Sequence, residues 1–109
     1  MDNQNLEIDG FEWDVGNFEK NLKKHGVSIQ EIEEVFLNAP LMIFSDAKHS
    51  ADEERFIAFG ATQEKRSLTI AFTMRSKDGL ALVRPISARP MHRKERKIYE
   101  EAIAEIKES

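Results

Sequence analysis

Arginine grips a phosphate through two parallel hydrogen bonds, and this chain distributes its arginines unevenly. All seven, at positions 55, 66, 75, 84, 89, 93 and 96, fall in the second half of the 109 residues. Arg75, Arg84 and Arg89 sit near the ends of segments that alternate like strands, which makes them a candidate phosphate clamp. The plainer reading is separate surface ion pairs, which are common and weak. Arg84 shares a strand face with Leu82 and Ile86, so a regular strand would turn its charge toward a core. The next residue, Pro85, cannot donate to a ladder and marks either an edge or a bulge that re-aims its neighbours.

The titratable groups are fewer. His25 follows Lys23 and Lys24 at a predicted helix C-terminus, where the dipole favours the cation and suits an acid; a lone structural histidine is the alternative. His92 opens the last helix, where His92-Arg93-Lys94-Glu95 has the Glu of a capping box without the hydroxyl. Asp46, His49 and Asp52, followed by Glu53 and Glu54, have a spacing that metal ligands also use. Nothing in the sequence fixes a third or fourth ligand, so a solvated polar loop is expected, with no metal or other cofactor. The absence of cysteine excludes disulfides, thiolate metal sites and a cysteine nucleophile.

A net charge of −4 argues against a polyanionic partner, but the average conceals an asymmetry. Residues 1–54 carry 4 Lys and 13 Asp or Glu, whereas residues 55–109 carry 12 Lys or Arg and 7 Asp or Glu. The stretch from Arg84 to Lys97 sets 6 basic side chains against Glu95 alone. Such a division suggests a basic surface facing a polyanion or an acidic partner, against the bland alternative of solvated helix faces.

The elements that must position these groups follow from periodicity. Residues 1–10 lack a pattern and read as a flexible lead-in, leaving 11–109 as one domain. Asp14 caps a helix from about Val15 to His25, with Phe18, Leu22 and His25 on one face and Gly26 ending it. Ser28 and Glu31 form a capping box for a second helix that stops before Pro40. Strands are predicted at 41–44, 55–61, 68–75 and 80–88, with Lys77-Asp78-Gly79 as a hairpin turn. A helix over 90–107 closes the chain with Met91, Ile98, Tyr99, Ala102, Ile103 and Ile106 as its apolar stripe. The fold class is therefore α+β: two N-terminal helices, a four-stranded mainly antiparallel sheet and a C-terminal helix. No apolar run approaches the length of a membrane span, and the acidic start is unlike a signal peptide, so a cytoplasmic protein is expected.

Four segments, FEWD (11–14), KNLKKHGVS (20–28), HSADEERFIAFG (49–60) and ISAR…RKERKIYEE (86–101), together resemble the BrnT family of toxins from type II toxin–antitoxin operons. The resemblance implies a RelE-like fold and a ribonuclease that arrests growth. It also implies a BrnA-type ribbon-helix-helix antitoxin as partner, with operator DNA bound only through the complex. The family pattern maps onto Lys24, His25 and Gly26, onto Glu54 and Arg55, onto Arg84, and onto Ser87, Ala88 and Arg89. Pro85 replaces the family's usual aliphatic residue, and Pro90-Met91-His92 replaces a stretch that usually supplies a Thr cap.

On this reading RNA brings its own nucleophile and needs no metal. Arg75, Arg84 and Arg89, with Arg55, stabilise charge, Glu54 acts as base and His25 as acid. Lys24, His92 and Arg93 bind RNA, and an acidic antitoxin segment lies across the arginines at an apolar sheet edge near Pro85. The competing class is a binding module without catalysis, whose basic half docks a partner protein. DNA binding by this chain alone ranks last, since no recognition-helix signature appears.

Overall fold

Local signals set the helices where the caps predict them. The Asp14 side chain accepts a hydrogen bond from the Asn17 N–H, and Gly26 adopts a φ of 66°, so α1 spans Val15–His25. The Ser28–Glu31 capping box is complete and opens α2, Ile29–Leu37. Arg66 ties both ends together, donating to the Gly26 carbonyl at 2.8 Å and to the Glu31 carboxylate at 2.9 and 3.1 Å. This arginine is structural. Within α1 the buried residues are Phe18 and Asn21, whereas Leu22, expected on the packed face, is half exposed.

The computed structural model describes residues 6–108, in which these helices pack on a five-stranded mixed sheet. Its strands are β1 (Gly10–Phe11), β2 (Met42–Ser45), β3 (Arg55–Ala61), β4 (Ser67–Lys77) and β5 (Leu80–Pro90), in the order β1-β5-β4-β3-β2. The four expected strands are present, antiparallel to their neighbours; β1, which pairs parallel with β5, is the addition. It straddles the boundary between the expected lead-in and the domain, with Gly10 in the first and Phe11 in the second; residues 1–5 of the lead-in fall outside the described residues. No alternation announces two residues of strand. They are held instead by distant groups: the Asp9 and Glu12 N–H donate to the Ala81 and Val83 carbonyls, both at 2.8 Å. Phe11 then packs edge-on to Phe36, and Trp13 edge-on to Phe18.

The other departure is at Pro85. The β4–β5 register shifts between Ala71, opposite Ser87, and Phe72, opposite Pro85, so Ile86 is the extra residue of a bulge. Beyond β1 the free edge of β5 would expose backbone groups to solvent or to another chain. Asn17 donates to the Ile86 carbonyl at 2.9 Å, and Asn21 brackets Ala88, donating to its carbonyl at 3.0 Å and accepting from its N–H at 3.2 Å. The spacings match, because four helical residues and two strand residues each advance about 6–7 Å. The edge near Pro85 is thus covered by polar side chains of α1, in place of the open apolar edge expected from sequence.

One sheet face carries the main core with α1 and α2: Phe56, Ala58, Leu68, Ile70, Phe72 and Val83 are buried there with Phe18, Ile32 and Val35. The last helix, α3 (Arg93–Glu108), crosses the opposite face and buries Tyr99 and Met91 with Phe59. It starts later than position 90 because Pro90 is still paired with Leu68. Ile98 and Ile106, from its predicted stripe, remain exposed. The α3 helix covers only the Phe59 end of this second face. The other end is where Arg55, Arg75 and Arg84 are.

Candidate active site

The bulge decides which arginines share a face. Arg84 and Arg89 are five apart, an odd interval that a regular strand would send to opposite faces. With Ile86 as the extra residue, Arg84 pairs with Thr73 and Arg89 with Thr69, two threonines four apart on the same side of β4. Across the central strand, Arg55 of β3 also pairs with Thr73, so Arg55, Thr73 and Arg84 form one transverse row. Their backbones are one strand spacing apart, which puts the two arginines about 10 Å from each other with Thr73 between. Arg75, two residues beyond Thr73, extends the group toward the open end, opposite Leu82.

Hydrogen bonding at this row is incomplete, although each arginine has a carboxylate nearby. Arg55 Nε, Arg75 Nε and Thr73 Oγ1 are buried atoms with no hydrogen-bond partner among the described residues. Each guanidinium instead faces a carboxylate beyond hydrogen-bond range: Arg55 Nε is 3.8 Å from Asp46, Arg75 Nε is 3.6 Å from Glu53 and Arg84 Nε is 3.8 Å from Glu12. Contacts this long leave donor capacity on all three guanidinium groups. Such a cluster can take an anion with several acceptor oxygens, a phosphodiester being the natural fit.

Arg89 is spent elsewhere. It makes a bidentate pair with Glu95 at 2.7 and 2.9 Å, and the same carboxylate accepts from the Thr69 hydroxyl at 3.0 Å and the His92 N–H at 2.8 Å. Burial pushes the Glu95 carboxyl up, but these donors outweigh it and hold it down to about 2, from an ordinary 4.5. The unfolded chain therefore takes up this proton first as the pH falls. The stabilisation is whole above about 4.5 and is lost between there and about 2. Allowing for solvent screening of a partly exposed pair, it is worth about 1–2 kcal/mol. Denaturant unfolding of the wild type and of Glu95→Gln should show the variant less stable at neutral pH, with the two curves converging in acid.

The remaining sequence candidates are scattered. Glu54 is exposed and accepts from Ser45, which alternation puts on the side of Ile43, away from the arginine row. His25 is half-buried at the end of α1, one turn past Asn21 and so at the Pro90 end of β5, far along the strand from Arg84. Among the described residues it makes no hydrogen bond or ion pair. Lys24 is exposed on α1. His92 and Arg93 are exposed at the start of α3, where Arg93, Lys94, Arg96 and Lys97 line a mainly basic cleft with Glu100.

One site residue, Thr73, is not legible in the sequence, and two others are legible only in a different role. Thr73 looks like any polar strand position; only the register makes it the centre of the row. Asp46 and His49 were visible as a metal-like spacing. Among the described residues no three such side chains gather as ligands. Asp46 instead turns to Arg55 and to the His49 ring, whose Nδ1 lies 3.0 and 3.2 Å from its oxygens.

Fold and site together define a small α+β domain with a cationic row on the half-open face of its sheet. A family model described as the ribonuclease toxin BrnT of type II toxin–antitoxin systems matches residues 13–95. The chain belongs to that family. No curated protein matches its sequence. Among the described residues no helix is long and apolar enough to cross a membrane.

Proposed function

We propose that this chain is a metal-independent endoribonuclease that cuts RNA in the cytoplasm and arrests growth until an antitoxin neutralises it. The observation that carries this reading is the cluster of buried Arg55 Nε, Thr73 Oγ1 and Arg75 Nε, which have no hydrogen-bond partner among the described residues, with Arg84 across the central strand. RNA supplies the nucleophile: the 2′-oxygen attacks phosphorus, the bond to the 5′-oxygen breaks, and a 2′,3′-cyclic phosphate forms. Negative charge grows on the non-bridging oxygens as phosphorus becomes five-coordinate. Arg55, Arg75 and Arg84, fixed on strands and partly dehydrated, stabilise that charge without rearranging. Holding the diester between Arg55 and Arg84 also orients it for in-line attack. Arg93 and its basic neighbours on α3, with His92, take flanking phosphates; Lys24 is a further contact.

The partner in this reading is a BrnA-type ribbon-helix-helix antitoxin whose acidic side chains cover Arg84 and Arg93. Operator DNA is bound only by the complex. Arg89 has a structural part here, since its fork is already filled by Glu95. The test is cleavage of RNA by the purified chain in excess EDTA, with analysis of the ends. Continued cleavage leaving 2′,3′-cyclic phosphate and 5′-hydroxyl ends is expected. Loss of activity in EDTA, or 3′-hydroxyl ends, overturns the mechanism.

A further inference from the structure

The arginine row cannot move protons, since a guanidinium stays charged at any working pH. Cleavage through the 2′-hydroxyl requires one proton to leave O2′ and one to reach O5′. We propose that His49, oriented by Asp46, is the residue that makes this transfer, an inference that rests on the ribonuclease reading above.

The geometry is that of a base with its orienting carboxylate. An ionised carboxylate only accepts, so the 3.0 Å contact from His49 Nδ1 to Asp46 places a proton on Nδ1, and in the neutral ring Nε2 is then the free base. Asp46 is itself mostly buried, and its second neighbour is Arg55 Nε at 3.8 Å, so the carboxylate bridges the imidazole to the anion-binding row. The loop carrying them is not loose. The Asp46 N–H donates to the Arg55 carbonyl at 2.7 Å, the His49 N–H donates to the Asp46 carbonyl at 3.1 Å, and Ser50 Oγ donates to that same carbonyl at 2.7 Å and accepts from the Arg55 N–H at 2.9 Å. This latch sets the Ala47–His49 turn directly beside the first residue of β3. The His49 ring remains 56 % exposed, which leaves Nε2 open to a substrate lying over Arg55.

In the step, Nε2 takes the proton from O2′ as the O2′–P bond forms. The resulting imidazolium gives that proton to O5′ as the P–O5′ bond breaks, so the ring ends neutral and no co-reactant is needed. Asp46 steadies the transient cation, as a carboxylate does in a catalytic triad. The ring contacts Asp46, whose other charged neighbour is Arg55 on β3, and Lys48 precedes it in sequence.

The test is cleavage of a single-stranded RNA by the full chain and by His49→Ala, with binding of the uncleavable 2′-deoxy oligonucleotide measured in parallel. His49→Ala should lower kcat about 100- to 10,000-fold while binding is kept. It should also flatten the acid limb of the pH profile and be partly restored by added imidazole. Asp46→Asn should give an intermediate loss with the same products. If His49→Ala cleaves at the wild-type rate with an unchanged profile, or loses activity that imidazole does not restore, the assignment is overturned while the ribonuclease reading stands. If the wild type binds the oligonucleotide but cleaves no RNA, both are overturned.

Discussion

Arg84→Ala is expected to cleave RNA about 100- to 1,000-fold more slowly than the wild type, the usual loss when one preorganised donor is removed from developing charge. The side chain is partly exposed, and its intramolecular partner is Glu12 at 3.8 Å, a contact too long and too wet to hold the fold. Thermal unfolding should therefore be almost unchanged. Arg84→Lys keeps the charge but not the fork, and should recover only part of the rate. Glu12→Gln, which removes the competing carboxylate, should leave cleavage unimpaired. Comparing the wild type with Arg84→Ala also separates the enzyme from the binding module. Growth arrest on expression without antitoxin should disappear with Arg84→Ala, whereas a module would be harmless even as the well-folded wild type.

The largest effect on stability is expected at Asn21, a residue that the sequence reading passed over. Its side chain is 8 % exposed and satisfies both backbone groups of Ala88. Asn21→Leu keeps the branched shape and removes both partners, leaving a buried N–H and a buried carbonyl unmatched. The cost should be about 2–4 kcal/mol, or about 10–20 °C in Tm for a domain of this size. Asn17→Ala, one turn earlier, removes a single exposed bond and should cost under about 1 kcal/mol. If the two variants were equally mild, α1 would not be what closes the β5 edge.

The features readable in the sequence were those that a residue shares with neighbours three or four positions away. Asp14, Gly26 and the Ser28–Glu31 box act through their own helix ends, so both N-terminal helices end where those residues predict. Asp78 and Gly79 both adopt the positive φ that a two-residue hairpin turn requires, and β3 and β4 follow their apolar patterns. The arginine-rich half and the ambiguity at Pro85 were also visible as composition and as a broken period. Which arginines would act together was not. That depended on the β4–β5 register, set by pairing between chains of residues far apart, and on one extra residue at Ile86 that reverses the facing of everything after it. Likewise β1 exists only because Ala81 and Val83 offer it carbonyls, and Glu95 claims Arg89 because α3 starts just beyond β5. From sequence alone this was an α+β chain with its positive charge in one half. Tertiary structure selected Arg55, Thr73, Arg75 and Arg84 as one row, since cross-strand neighbours are fixed by distant backbone partners that no local pattern records.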